Sequence, residues 1–166
     1  MADEIVRPML AVAGEVDEPG SLTFADFAAL PAEFQIADVS RLDPKRKGDA
    51  VRLEGLLRRV GVRASASWLT LHASRDDFHA SIPLAVVRER AIVIYRVGGE
   101  PLPASAGGPF RFYVPDFAAC HSAEVDECAN VKFVDRIEFS SVRGYDNRPH
   151  DAAEHAELHA KESANP

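Results

Sequence analysis

Residues 107–139, GGPFRFYVPDFAACHSAEVDECANVKFVDRIEF, decide the fold prediction because turn glycines, an apolar strand and both cysteines of the chain lie within them. Every second residue from Phe110 to Val114 is apolar, which predicts a strand with one apolar face and with Arg111 on the other face. The strand follows the turn at Gly107 and Gly108. Backbone N–H groups of a glycine turn and a planar guanidinium both bind phosphate or another oxyanion. A hairpin with an exposed Arg111 is the competing interpretation.

Composition narrows the class of protein. The chain has 166 residues, of which 46% are hydrophobic, and this suits one domain with a sizeable core. The net charge of −7 argues against nucleic acid and anionic lipid as partners, although a local basic pocket remains compatible with a small anion. The acidic start, MADEIVRPML, is unlike a signal peptide, and no stretch approaches the ~18 apolar residues of a membrane span. We therefore expect a cytoplasmic protein that does not enter a membrane.

Turn residues and periodicity predict the remaining elements. The apolar run 9–16 and the segment 34–39 are typical of strands, and Thr23 with Asp26 predicts the capped start of a short helix between them. Apolar residues at 53, 56, 57 and 60 predict an amphipathic helix that ends at Gly61. Strands are expected at 68–72 and 91–97, separated by the turn 74–77 and the proline-containing segment 81–84.

These elements predict an α+β protein with a single mixed-sheet domain over residues 10–142. A polar tail, 143–166, follows, and Asp151 with Glu154 predicts a capping box for a short C-terminal helix. The most basic run of the chain, Lys45-Arg46-Lys47, lies in the loop 43–49. A solvated connection is the ordinary interpretation of such a loop, and a wall of an anion pocket is the alternative.

Cys120 and Cys128 are the only cysteines. They form a disulfide, contribute to a metal site or remain buried thiols, and a cytoplasmic setting favours the thiols. His155 and His159 are spaced one helical turn apart, which brings two imidazoles to one metal. As a hypothesis, these four residues bind a structural zinc that pins the C-terminal helix, with His121 as an alternative ligand. His72 and His79 lie in or next to apolar strand patterns, where a hydrogen-bonded structural role is expected.

Several common motifs are missing from the sequence: a P-loop, G-x-G-x-x-G after a strand, G-x-S-x-G and H-E-x-x-H. Six stretches in order resemble the molybdopterin-binding domain of the sulfite oxidase group, and together they cover residues 10–140. They are LAVAGEVDEPGSLTFADFAALP (10–31), VRLEGLLRRVGV (51–62), FHASIPL (78–84), GGEPLP (98–103), GGPFRFYVPD (107–116) and NVKFVDRIEF (130–139).

The resemblance implies an α+β fold that cradles a pyranopterin cofactor. Arg111 matches the Arg of the family's H-G-x-P-x-R segment and Lys132 the Lys of its V-K-W segment, so both are expected to contact the cofactor or its phosphate. Gly107 matches the first of these segments, and Gly108 lies within it. Asn130 flanks the lysine.

The chain departs from the family pattern at the positions expected to lie near the metal. Ala106 stands where the family has His, Phe133 replaces Trp, and the region 34–42, where the molybdenum-binding Cys is expected, contains none. An alcohol such as Ser40 has too high a pKa to replace a thiolate readily. The sequence therefore predicts binding of a pterin phosphate or similar anion without conventional molybdenum catalysis. The alternative is a non-catalytic binding or interaction module. The protein partner expected is a redox partner or a second copy of the chain.

Overall fold

The computed structural model describes residues 8–115 and 130–148. These residues contain short 3₁₀ turns, three α-helices and ten β-strands. The helices are α1 Phe24–Ala28, α2 Leu53–Val60 and α3 Leu84–Val87. The strands are β1 Met9–Gly14, β2 Gly20–Thr23, β3 Gln35–Ile36, β4 Asp49–Arg52, β5 Trp68–Ala73, β6 Phe78–Pro83, β7 Ile92–Val97, β8 Glu100–Pro101, β9 Arg111–Tyr113 and β10 Arg136–Ser140.

The strands form two sheets. The first has the order β2-β1-β10-β5-β6 and is mixed, because β1 and β10 run parallel while the other pairs are antiparallel. The second has the order β3-β4-β7-β8, and β9 also pairs with β7 in the register Ile92 to Tyr113. The predicted α+β class with a mixed sheet is confirmed.

The main core takes side chains from both sheets and from all three helices. Aromatic rings fill its centre, since the ring of Phe27 lies 4.7 Å from that of Phe110 and 5.4 Å from that of Tyr95. On α2 the predicted apolar face is confirmed, and Gly61 ends the helix with φ +67°. Such left-handed backbone favours glycine.

A second apolar cluster lies on the other face of the second sheet. Alternation along β7 produces the two clusters, because Val93 and Tyr95 point into the main core while Ile92 and Ile94 point away from it. Val39, Leu102 and Ala106 from the connecting segments pack against this outer face. The outer face is therefore covered by loops rather than by solvent. The β9 side chains that point to this face, Arg111 and Tyr113, are consequently buried.

The capping box of α1 is confirmed, since the Thr23 hydroxyl accepts from the backbone N–H of Asp26 at 3.2 Å. The segment 34–39 contains only the two-residue β3, because 3₁₀ turns at Ala32–Phe34 and Val39–Arg41 flank it. The interpretation of 81–84 as a separator is wrong. Residues 78–83 form β6, an edge strand of the first sheet, where Pro83 is tolerated at the strand end.

The segment 143–148 binds back to β6. Asp146 accepts a hydrogen bond from the backbone N–H of Ser81 at 2.9 Å, and Arg148 donates to the Ser81 carbonyl at 3.1 Å. The predicted C-terminal helix from Asp151 lies outside the described residues, and the domain boundary at 142 stays a prediction. In the described part of the chain, no helix is long and apolar enough to span a bilayer.

Candidate anion-binding site

The turn at Gly107 brings together the two cations predicted to bind a cofactor, Arg111 and Lys132. Gly107 ends a 3₁₀ turn, Ala104–Ala106, with φ +93°. A Cβ placed on Gly107 would lie 3.1 Å from Cδ of Arg111 and 3.2 Å from Cγ of Lys132. Both side chains therefore cross the same glycine. Only a residue without a side chain leaves them this room, and the positive φ also favours glycine.

Lys132 reaches this place through a bulge. Phe112 and Val131 exchange two backbone hydrogen bonds of 2.9 and 3.0 Å, and the next bond runs from the N–H of Val134 to the carbonyl of Phe110 at 2.9 Å. Residues 132 and 133 thus lie opposite the single residue Arg111. An extra residue of this kind redirects side chains, and bulges are frequent beside active sites.

The turn after Lys132 is held in an unusual conformation. Phe133 has φ +59°, which is uncommon for a bulky residue, and its N–H donates to the carbonyl of Gly107 at 2.8 Å. Non-glycine residues with such backbone angles tend to occur at functional sites, where the surroundings hold them. This bond joins the Lys132 turn to the Gly107 turn.

Arg111 is buried, and its guanidinium is only partly satisfied. The residue is 8% exposed, so the interpretation as a hairpin with an exposed arginine is wrong. Nη1 donates to the carbonyl of Ala106 at 3.2 Å, whereas Nε is buried and has no hydrogen-bond partner among the described residues. Burial lowers the pKa of Arg111, and the nearby positive charge of Arg46 lowers it further. Within the described residues, no carboxylate lies at ion-pair distance from Arg111.

The basic loop 43–49 lies against the same strand. The Tyr113 hydroxyl donates to Oδ2 of Asp43 at 2.6 Å, and the guanidinium of Arg46 lies 5.4 Å from the centre of the Tyr113 ring. Tyr113 and Arg111 are two residues apart on β9 and so share a face. The ordinary interpretation of this loop as a solvated connection does not hold for Arg46, whose side chain is 28% exposed.

Hydrogen bonds and burial shift the pKa values of the two side chains that hold this loop, Asp43 and Tyr113. The Tyr113 hydroxyl, followed by the backbone N–H of Lys45, lowers the pKa of Asp43. Burial raises the pKa of Tyr113, and its bond to Asp43 raises it further. Asp43 is therefore ionised and Tyr113 neutral over the ordinary pH range.

Gly108 and Asn130 shape the backbone of the site. A Cβ on Gly108 would lie 1.8 Å from the carbonyl oxygen of Leu102, so this close contact requires glycine. The side-chain oxygen of Asn130 accepts from the N–H of Val114 at 2.7 Å and extends the pairing between the segments at 112 and 131. A direct contact of Gly108 or Asn130 with a ligand stays a prediction.

The predicted metal ligands are not placed. Cys120, Cys128, His155 and His159, as well as His121, lie outside the described residues. The described residues themselves contain no group of three or more His, Cys, Asp and Glu side chains arranged to hold a metal ion.

His72 and His79 form a hydrogen-bonded pair across β5 and β6. Their Nδ1 atoms are 2.7 Å apart, Nε2 of His72 lies 3.1 Å from Glu138, and Nε2 of His79 lies 3.0 Å from Asp77. Each imidazole thus has a partner at both nitrogens, in agreement with the structural role expected from the sequence.

Sequence reasoning left Arg46, Asp43 and Tyr113 out of the site. The one signal for Arg46 was the run of three basic residues in its loop. Asp43 and Tyr113 carried no signal, because their hydrogen bond joins positions 70 residues apart in the chain.

Comparison with known proteins identifies the family of the chain. The family described as oxidoreductase molybdopterin binding domain matches residues 47–146, more than half of the chain and a range that includes Gly107, Arg111 and Lys132. The chain belongs to this family.

Among solved structures, the sulfane dehydrogenase SoxCD of Paracoccus pantotrophus shares the fold, with a TM-score of 0.58 and 21% sequence identity. The alignment covers 82% of this chain and 39% of that one, so this chain spans about two fifths of the length of the SoxCD chain. No curated protein matches the sequence.

Proposed function

We propose that this chain binds a molybdopterin-type cofactor through the cofactor's phosphate, which Arg111 and Lys132 hold over the Gly107 turn. The observation that carries the proposal is the buried guanidinium of Arg111, which lacks a carboxylate and has an unpaired Nε among the described residues. Leaving a buried polar group unpaired costs about 1–3 kcal/mol. A phosphate oxygen supplies the missing acceptor and the missing negative charge together.

The shape of the turn also fits this group. The absence of a side chain on Gly107 lets Arg111 and Lys132 both pass within 3.2 Å of one point, so their two positive charges lie close together beside the turn. The bond between Phe133 and Gly107 holds this arrangement in advance, which reduces the entropy that binding must offset. Family membership makes a molybdopterin the best-supported source of the phosphate.

The residues fit the phosphate better than they fit the metal. When bound, a molybdenum-loaded pterin supplies the metal for oxygen-atom transfer. The described residues contain no cysteine, since Cys120 and Cys128 lie outside them, and they offer no cluster of metal ligands. The function proposed is therefore binding of the pterin phosphate, and conventional molybdenum catalysis forms no part of it.

The test is the pterin content of protein purified from a host that makes molybdopterin. Released cofactor is oxidised to its fluorescent form and quantified for the wild type and for the variants Arg111→Gln and Lys132→Gln. Arg136→Gln is the matched control, because the Arg136 side chain is 50% exposed on β10. We expect pterin in the wild type and the control, and a loss of about tenfold or more in the Arg111 variant. Wild-type protein without pterin, or full retention in a folded Arg111→Gln variant, would overturn the proposal.

A further inference from the structure

We infer that Arg46 is a third cation of this site and that the site selects a doubly charged oxyanion, such as a phosphate monoester, over a singly charged one. This inference rests on the proposed function, since it concerns the same pocket. It adds a residue from a different part of the chain and a rule of charge selectivity.

The first step is the fixed position of the loop that carries Arg46. The backbone N–H of Arg46 donates to the carbonyl of Asp43 at 2.9 Å. The Asp43 carboxylate in turn accepts from the Tyr113 hydroxyl at 2.6 Å and from the backbone N–H of Lys45 at 3.0 Å. The loop is therefore fastened to β9 beside Arg111. Arg46 reaches this strand through a short, bonded turn rather than through a free connection.

The second step concerns Nε of the Arg46 side chain. Its Nε atom is buried and has no hydrogen-bond partner in the part of the chain that the structure describes. Asp43 Oδ2 lies 3.8 Å from this atom, beyond hydrogen-bond distance, and it already accepts the bond from Tyr113. Arg46 and Arg111 therefore present the same defect, a buried Nε without an acceptor, from two neighbouring segments.

The third step is the balance of charge. Arg46 lies close enough to Arg111 for its positive charge to lower the pKa of Arg111, so the two guanidiniums repel each other. Together with Lys132 they form three cations, and Asp43 is the carboxylate that the structure places among them. Asp43 therefore does not compensate all of this positive charge. A phosphate monoester carries about two negative charges near neutral pH and three acceptor oxygens, which matches both the charge and the unpaired donors.

Two sources supply this chemistry, the phosphate of a bound pterin and free inorganic phosphate. Titration calorimetry distinguishes them when it is applied to cofactor-free protein and to pterin-loaded protein. If the pterin phosphate occupies the site, loaded protein binds no added phosphate while cofactor-free protein does. If both preparations bind added phosphate equally, free phosphate is the ligand.

The selectivity test uses cofactor-free protein and two probes at about pH 8, inorganic phosphate as the dianion and dimethyl phosphate as the monoanion. The wild type should bind inorganic phosphate about tenfold more tightly than dimethyl phosphate. Arg46→Gln should reduce this preference to about twofold while the protein stays folded. Arg41→Gln is the control, because Arg41 ends the 3₁₀ turn just before the loop and its side chain is 82% exposed. An unchanged preference in Arg46→Gln, or no preference in the wild type, would overturn the inference.

The outcomes also separate this inference from the proposed function. If Arg111→Gln loses pterin while Arg46→Gln keeps both pterin and the selectivity, the proposed function stands and the role of Arg46 fails. If wild-type protein contains no pterin yet distinguishes the two probes through Arg46, the anion site stands and the cofactor proposal fails.

Discussion

Arg111 and Lys132 cross the same glycine, since Cδ of the first and Cγ of the second lie 3.1 and 3.2 Å from the point where Gly107 would carry a Cβ. The β9 strand supplies one cation and the bulge opposite it supplies the other. Their approach depends on backbone hydrogen bonds rather than on a carboxylate between them. The charge at this point is thus part of the fold itself. Two features of the site, the turn at Gly107 and the contact of Tyr113 with Asp43, can be tested by substitution.

Gly107→Ala should weaken phosphate binding more than it weakens folding. A side chain at φ +93° costs about 1–2 kcal/mol of stability, and the added methyl group also pushes against both cations. We expect a clear loss of phosphate affinity in calorimetry, measured beside the free energy of unfolding in urea.

Gly99→Ala provides the matched control for this substitution. Gly99 has φ +80°, and nothing lies within 4 Å of its added Cβ, so this variant carries the backbone strain without the crowding. It should lose similar stability and keep its phosphate affinity. Equal losses of affinity in the two variants would show that the close packing of Arg111 and Lys132 against Gly107 does not contribute to anion binding.

Tyr113→Phe should release Asp43 from its low pKa. The Tyr113 hydroxyl is the main cause of that lowering, so its removal should move the pKa of Asp43 up towards the ordinary value of 3.8. A carbon-detected NMR titration of the Asp43 carboxyl group measures this change directly. Phosphate affinity should fall as well, because the loop that carries Arg46 loses its attachment to β9.

The control for this titration is Tyr145→Phe, since Tyr145 is 61% exposed. It should leave the Asp43 titration unchanged. The same midpoint for Asp43 in wild type and Tyr113→Phe would contradict the contact between loop and strand.

The sequence predicted elements whose signals are local. The capping box of α1 and the apolar stripe of α2 depend on neighbours within a few residues, and both are confirmed. Strand β6 was missed because Pro83 and the polar residues of 78–81 resemble a connection. Only pairing with β5, in which His72 lies opposite His79, makes it a strand.

The burial of Arg111 shows why the site was harder to predict than the fold. Alternation correctly put Arg111 on the face opposite Phe110 and Phe112. It says nothing about what covers that face, and the outer cluster with Val39 and Leu102 comes from distant segments. Arg46 was missed for the same reason, because its position depends on a contact between the loop 43–49 and β9.

Asp146→Asn should destabilise the protein, because it removes the buried negative charge that contacts Arg148 and accepts from the N–H of Ser81. The side chains of Asp146 and Arg148 are 3% and 6% exposed, and their shortest contact is 2.7 Å. Breaking a buried ion pair on one side costs about 3–5 kcal/mol. Asp17→Asn is the control, since Asp17 and Arg63 form an exposed pair whose loss should cost at most about 1 kcal/mol.

The effect of Asp146→Asn should depend on pH in one direction. Burial acts to raise the pKa of Asp146, but bonds from Arg148 and from the N–H of Ser81 outweigh it, and the pKa is lowered below 3.8. The folded state thus binds this proton more weakly than the unfolded state does, so the ionised carboxylate stabilises the fold above pH 3.8. Urea unfolding should show the gap between wild type and variant closing as the pH falls below that value. A gap independent of pH would mean that the charge of Asp146 contributes nothing.

The metal content should separate phosphate binding from molybdenum binding. We predict that wild-type protein from a cofactor-competent host carries pterin but holds far less than one molybdenum per chain and does not oxidise sulfite. The reason is ligand chemistry, because a thiolate binds molybdenum readily while the hydroxyl of Ser40, which donates to Asp38, keeps its proton at neutral pH. Ser40 follows Val39, which packs in the outer cluster together with Tyr113, so this segment lies on the same side of the sheet as Arg111. Elemental analysis beside a sulfite-oxidation assay, with Ser40→Cys in parallel, measures the outcome. Near-stoichiometric molybdenum with turnover in the wild type would contradict the prediction and would make Cys120 or Cys128 the metal ligand.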